Sequence, residues 1–396
     1  MVDRYTLWFA MEATEQRLFA PGDGANPPAL TGREREEAVL TQCLADLLGG
    51  KAPPHNVALI GPRGTGKTVL LNWFERSCRE RTAHVDVVTL TPDDVPTRDG
   101  LVDVLAPPSR LAKLLPRKVG VAAVGSVEWA PAPGSTRNLR AELTARCRGK
   151  PLAVLLDEAH TLDLVVGRTL LNASQRVRAE APFLLVMAGT PGLPAHLGAM
   201  DASFWSRLGA GRLGIGLLSA AAAAAALVEP LAAHGVSIDP DALDAVVEHS
   251  QRYPYFIQLW GEALWQQRLA SGATRLTAAH ASAARPDVAV RMTDYYQDRH
   301  YELDQSGWLA AAEQVAARLQ RTPRLTYAEL KSAIADGLAP NAGHEHVQAA
   351  LATCERLGFV WCPPGQPSPV RYEAGIPALM THMLDQSPAT PESTIR

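Results

Sequence analysis

The chain has no pair of cysteines in CxxC spacing, and its cysteines, Cys43, Cys78, Cys147, Cys354 and Cys362, are odd in number. That argues against a disulfide framework or a zinc knuckle and fits free thiols in a reducing compartment. A dominant charge is also missing. The formal net charge is −3, so the chain as a whole carries no electrostatic footprint for nucleic acid. Long apolar runs are absent as well. The opening stretch MVDRYTLWFAMEATEQRLF has no basic segment followed by an apolar run, so no signal peptide is read there. The alanine-rich run from Ser219 to Gly235 is too short and too weakly apolar to span a bilayer, and alanine favours helix. No nuclease, protease or metal-binding constellation stands out. The expectation is a cytoplasmic protein with no membrane partner.

What is present is a chain of 396 residues, too long for one ordinary core. A first helix is read in TGREREEAVLTQCLADLLGG, where Val39, Leu40, Leu44, Leu47 and Leu48 recur at helical spacing before Gly49-Gly50. Apolar runs then alternate with helical segments: NVALI, VDVVTL, LAVLLDE, PFLLVMAGTP and GRLGIGLLS. VGVAAVGSVEW (residues 119–129) reads as a hairpin and STRNLRAELTARC as a helix. Continuous apolar strands separated by helices indicate a parallel sheet buried on both faces, an α/β fold. From Ser219 the pattern turns helical. The last part reads as three helices, then FVWC and VRYE separated by PPGQPSP, then a short helix. That is a winged-helix pattern. The expected organisation is an extension over 1–30, an α/β core over 31–218, a helical lid over 219–298, a winged-helix domain over 299–385 and a disordered tail over 386–396.

Gly61-Pro62-Arg63-Gly64-Thr65-Gly66-Lys67-Thr68 satisfies GxxxxGK followed by Ser or Thr, between an apolar strand and a helix. Glycines in such a loop let backbone amides wrap phosphate oxygens, and the helix N-terminus adds its positive end. Lys67 is placed to reach the β- and γ-phosphates and Thr68 to ligate Mg²⁺. Asp157 and Glu158 close a buried strand, at the sheet edge where α/β proteins bind ligands. Asp157 would position Mg²⁺ and Glu158 the attacking water. His160, just beyond, reads as a local hydrogen-bonding residue. ATP and Mg²⁺ are the expected ligands.

With these residues in place the chain resembles the AAA+ ATPases and the related STAND signalling ATPases, closest to the origin-recognition-like and archaeal-ATPase-like branch, over Leu30 to Leu384. LTGREREEAVL is similar to the element that precedes the P-loop there and packs near adenine, which implies Gly32 and Arg33 at the nucleotide. VMAGTP lies where the family places sensor 1, implying Thr190. FWSRLGAGRLGIGLLS resembles the segment that carries the arginine finger, implying Arg207, with Arg212 second. SQRYPYFIQLWGEALW resembles the stretch whose proline reports nucleotide state, here Pro254. Arg252 stands in place of the usual glycine, and Tyr255 stands where a sensor-2 arginine is expected. An arginine finger implies a homo-oligomer with its active site at the subunit boundary.

Two function classes remain open on the sequence. The stretch from Arg110 to Lys150 holds nine basic and two acidic residues, Arg137, Arg140, Arg146 and Arg148 among them. Such an excess suits phosphate-backbone contacts. The implied protein is an ATP-driven oligomer on DNA that recruits or regulates a partner, in replication, transposition, or a mobile-element or defence system. The segment 299–385 has seven basic and nine acidic residues, however, and a DNA-reading module is ordinarily basic. That favours the alternative, a STAND-like nucleotide switch acting through a protein partner without DNA.

Overall fold

The apolar runs become strands where their composition places them. The computed structural model describes residues 18–386 apart from 20, 23–26, 82, 108–137 and 367. The expected hairpin, the tail beyond 386, and Arg110, Lys113, Arg117, Lys118 and Arg137 therefore lie outside the described residues. Strands β1 (Val57–Ile60), β2 (Asp86–Leu90), β3 (Leu152–Leu156), β4 (Phe183–Gly189) and β5 (Arg212–Gly214) form one parallel sheet in the order β2-β3-β4-β1-β5. Every residue of β1, β3 and β4 is buried, as the uninterrupted apolar runs require.

Side chains alternate between the two faces. Ala58, Ile60, Val154, Leu156 and Met187 point to one layer, with α3 (Arg98–Leu105), α4 (Leu139–Gly149) and α5 (Leu164–Arg178). Val57, Leu59, Leu155 and Val186 point to the other, covered by α1 (Glu34–Leu48) and α2 (Lys67–Arg79). Two short helices, α6 (Leu193–Met200) and α7 (Phe204–Arg207), lie between β4 and β5.

After β5 come α8 (Ala220–Ala233), α9 (Pro240–His249), α10 (Pro254–Ser271) and the 28-residue α11 (Ala278–Gln305), with a short parallel pair of β6 (Ser237–Ile238) and β7 (Arg275–Leu276). The boundary expected between 298 and 299 lies inside α11, which runs on past Pro286 without a break. The C-terminal unit has α12 (Leu309–Arg321), α13 (Tyr327–Asp336), α14 (His344–Arg356), an antiparallel pair of β8 (Val360–Trp361) and β9 (Glu373–Ala374), and α15 (Pro377–Gln386). Leu325 bridges to Tyr372 as a further rung. This is the element order read as a winged helix.

Lid and C-terminal unit share one continuous apolar cluster, from Phe256 and Trp260 on α10 through Tyr296 on α11 to Val315 and Met383. Phe19 also belongs to it and is fully buried. A Cβ on Gly261 of α10 would lie 2.4 Å from the Phe19 ring, so the glycine makes room for it. Among the described residues no helix is long and apolar enough to cross a membrane. All five cysteines are free, four of them buried.

Candidate nucleotide site

β1 ends at Ile60, and the chain turns through Gly61 to Gly66 before α2 begins. Gly64 and Gly66 have φ of +76° and +95°, a region open to glycine at little cost. Gly61 faces the strand next door: a Cβ there would sit 1.9 Å from the Ile215 carbonyl oxygen. Lys67 is only 6% exposed. Its Nζ donates to the Pro62 carbonyl at 2.8 Å, and Thr65 Oγ1 donates to the same oxygen at 2.8 Å. Burial brings the Lys67 ammonium down to about 8, against the opposing pull of Glu158 and Asp157.

β3 delivers the two carboxylates. Thr68 Oγ1 donates to Asp157 Oδ2 at 2.7 Å, and Asp157 Oδ1 accepts the Glu158 amide at 2.8 Å. This puts a hydroxyl and a carboxylate side by side, a hard-oxygen pair of the kind Mg²⁺ takes together with water and substrate phosphates. No group of three or more His, Cys, Asp or Glu placed to hold a metal occurs among the described residues. An ion held by Thr68 and Asp157 would thus complete its shell with substrate oxygens.

Glu158 has φ +49°, uncommon for a non-glycine residue and of the sort that collects at functional sites. Its Oε2 lies 3.4 Å from His160 Nε2. Burial first, then the positive charge of Lys67 and Arg63, lowers the His160 pKa to about 4, so the ring is neutral at neutral pH. His160 Nδ1 accepts the Thr190 amide at 3.4 Å, which leaves the proton on Nε2, facing Glu158. His160 is therefore the local hydrogen-bonding residue expected, and it links the end of β3 to the end of β4. Thr190 is fully buried, and its hydroxyl has no partner among the described residues.

These elements surround a cavity of about 700 Å³. Arg33, Arg63, Gly64, Thr65, Gly66, Lys67, Thr68, Asp157, Glu158 and Pro254 all line it, as expected of a shared site. Gly61, Pro62, Gly32, Thr190 and Arg207 are not among its lining residues. Gly32 instead packs on the lid: its φ is +71°, and a Cβ there would lie 2.5 Å from Ala222 of α8. Arg33 acts as a strut, donating Nη2 to the carbonyls of Thr65 (3.0 Å) and Gly216 (2.6 Å). Arg252 is exposed, lies outside the lining and has φ +59°. A glycine would meet this left-handed backbone at little cost, and the Arg252 side chain faces solvent. Sequence reasoning missed Pro27, Tyr295 and Arg299 in the wall. They come from the N-terminal stretch and from far along α11, so no local motif marks them.

Residues 29–187, which contain the loop, both carboxylates and Arg33, match the AAA ATPase domain. This part of the chain is an AAA ATPase domain. The whole chain has the fold of archaeal relatives of low sequence identity. The Walker-type ATPase PABY2304 of Pyrococcus abyssi is 16% identical with a TM-score of 0.57, covering 92% of this chain and 99% of that one. The Aeropyrum pernix ORC2 protein, in its ADPNP-ADP complexes, is 15% identical with a TM-score of 0.53 (92% and 96%). Cdc6p from Pyrobaculum aerophilum is 16% identical with a TM-score of 0.50 (93% and 97%). None of the curated proteins compared with the chain is a match.

On the surface of the AAA ATPase domain, Arg207 ends α7 with its side chain 54% exposed, held by Gln175 and 3.7 Å from Asp201. Arg212 is engaged locally, donating to the Gly209 carbonyl at 3.0 Å and lying over the Trp205 ring. The basic cluster is partly neutralised in place. Arg140 pairs with Glu180, and Arg146 holds the Leu105 carbonyl and sits 3.4 Å from Asp86, which Lys150 meets at 2.6 Å. Arg148 is exposed. The C-terminal unit rests directly on the AAA ATPase domain. A Cβ on Gly358 would come within 3.2 Å of Pro62 Cα, and one on Gly192 within 2.9 Å of Arg356 Cα on α14.

Proposed function

We propose that the protein binds and hydrolyses ATP with Mg²⁺ and that nucleotide state sets how the lid and C-terminal unit sit on the ATPase domain. The observation that carries this reading is the convergence of P-loop, strand-end carboxylates and lid residues on one cavity. Lys67 and the loop amides would hold the β- and γ-phosphates. Mg²⁺ bound by Thr68 and Asp157 would neutralise charge on the transferring phosphoryl group. Glu158, oriented by His160, would draw the proton of an in-line water as the bond from the γ-phosphorus to its bridging oxygen breaks. The unpartnered Thr190 hydroxyl is the group here suited to sense that water or the γ-phosphate.

The exposed Arg207, outside its own cavity, supports an oligomer in which it completes a neighbour's site. Arg207→Ala subunits mixed with Lys67→Ala subunits are expected to give an ATPase rate that depends on the mixing ratio. A rate that simply averages the two pure preparations would remove the arginine from the neighbour's site.

The output has two readings. The basic stretch from Arg110 to Lys150 supports an ATP-dependent assembly on DNA that recruits a partner. The pairing of Arg140 and Arg146 within the domain, and the packing of the C-terminal unit over Pro62, favour a switch that acts on a protein partner. Surface ion pairs are weak, worth about 0–1 kcal/mol, so phosphates can still compete for these arginines. Steady-state ATPase with and without single- and double-stranded DNA, at low and moderate salt, separates the two. Salt-sensitive stimulation, reduced when Arg137, Arg140, Arg146 and Arg148 are neutralised, places the protein on DNA. A slow rate indifferent to DNA assigns it to the protein-partner switch.

A further inference from the structure

We infer that the lid presets the phosphate-binding amides of the P-loop through a tyrosine latch: Tyr253 and Tyr295 hold the Arg63 carbonyl, and the Tyr255 amide holds the Gly64 carbonyl. This rests on the nucleotide reading above and assigns positioning residues to it. Tyr253 directly precedes α10 and is fully buried; its hydroxyl donates to the Arg63 carbonyl. Tyr295, on α11, donates to the same oxygen at 3.3 Å. The backbone amide of Tyr255 donates to the Gly64 carbonyl at 3.2 Å.

In a trans peptide the carbonyl and the following N–H point in opposite directions. With the carbonyls of Arg63 and Gly64 turned to the lid, the amides of Gly64 and Thr65 are turned away from it. Those two amides donate to no group among the described residues. They are free donors in a loop that lines the cavity, with orientation fixed before any phosphate arrives. Preorganised donors of this kind bind an oxyanion without reorganisation. Gly64 also has to be glycine: a Cβ there would sit 3.1 Å from both the Tyr253 ring and the Tyr255 Cβ, at a φ of +76°.

The latch is two-way. A phosphate on the amide side polarises each peptide unit and makes its carbonyl a better acceptor, so nucleotide tightens the lid by the same factor that the lid tightens nucleotide. Arg63 is gripped at its other end too, its guanidinium donating to Glu302 at 3.1 Å. Glu302 and both Tyr295 and Tyr296 lie on α11, and Tyr296 contacts His382 of α15, ring centroids 5.4 Å apart. The helix that reads the P-loop is thus the one that packs on the C-terminal unit. Burial keeps the Tyr253 and Tyr295 hydroxyls protonated, so both remain donors through the physiological range.

The test measures binding of a fluorescent ATP analogue, and kcat and KM, in the full chain carrying Tyr253→Phe and Tyr295→Phe together. The control is Tyr296→Phe, which removes from the same cluster a buried hydroxyl that has no partner among the described residues. The double variant is expected to bind on the order of tenfold more weakly, for two lost hydrogen bonds. KM should rise with kcat within about twofold, the signature of lost ground-state binding, and the control should match wild type. Should the double variant not fold, the half-buried Tyr295→Phe alone should show about a threefold loss. Unchanged affinity, or an equal loss in Tyr296→Phe, overturns the latch. A wild-type chain that binds no analogue overturns the nucleotide reading and the latch with it.

Discussion

Lys67→Ala is expected to weaken ATP binding on the order of 10²–10³-fold while leaving the melting temperature close to that of wild type. The size follows from the setting. Charge-assisted hydrogen bonds are worth about 1.5–3 kcal/mol each, and a buried ammonium can make more than one to a triphosphate. Lys67 is buried, and the neighbouring Pro62 carbonyl and the carboxylates of Asp157 and Glu158 keep it charged there. Its titration near 8 gives a second signature. Below that pH the side chain is an ammonium and attracts phosphate; above it the free protein holds a neutral amine, and binding must take up a proton. Wild-type affinity should therefore fall as pH rises past 8, by up to about tenfold per unit, and Lys67→Ala should lack that slope. Isothermal titration from pH 6.5 to 9.5 measures both. Unchanged affinity in Lys67→Ala would remove the phosphate site from this loop.

The parts of this site that were legible in the sequence are those whose geometry is local. Gly61 to Thr68 spell a loop between a strand and a helix, and that loop carries its own phosphate-binding backbone. Asp157 and Glu158 were legible because an apolar run with two terminal carboxylates can only be a buried strand with its end at the sheet edge. The five strands followed from the same runs. What stayed hidden depends on how distant segments meet. Tyr253, just before α10, and Tyr295, on α11, lie 42 positions apart, and only the packed lid brings both hydroxyls to one carbonyl. Composition shows the basic excess around Arg140 and Arg146 but not that Glu180 and Asp86 already face them. The stretch before Leu30 offered no pattern, yet Phe19 fills the space left by Gly261 and Pro27 walls the cavity. The boundary placed at 298 failed to respect α11 because a helix shared by two units has no punctuation where they join. Gly32 was read at the nucleotide, whereas its backbone angle and closeness to Ala222 give it a packing role.

Glu158→Gln separates binding from turnover. Its side chain is nearly isosteric and neutral, and glutamine meets the φ of +49° on the same terms as glutamate. The loop should therefore keep its shape, with Asp157 still accepting the backbone amide of residue 158. What is lost is the negative charge that takes up a proton from water, a contribution of about 10²–10⁴-fold in general-base catalysis. The expected kcat is lower by on the order of 10²–10³-fold, with ATP affinity within a few-fold of wild type. The variant should also accumulate in the ATP-bound form. If nucleotide controls assembly through Arg207, light scattering on Glu158→Gln with ATP should then show a larger species than with ADP, and Lys67→Ala should show no difference. Hydrolysis at the wild-type rate in Glu158→Gln would move water activation to another group. His160 is the nearest candidate, but with its pKa lowered to about 4 and its Nδ1 occupied by the Thr190 amide it is poorly placed to accept a proton. The lowered basicity of His160 and the partly buried, left-handed Glu158 thus support the proposed division of labour, with Glu158 as base and His160 as the group that aims it.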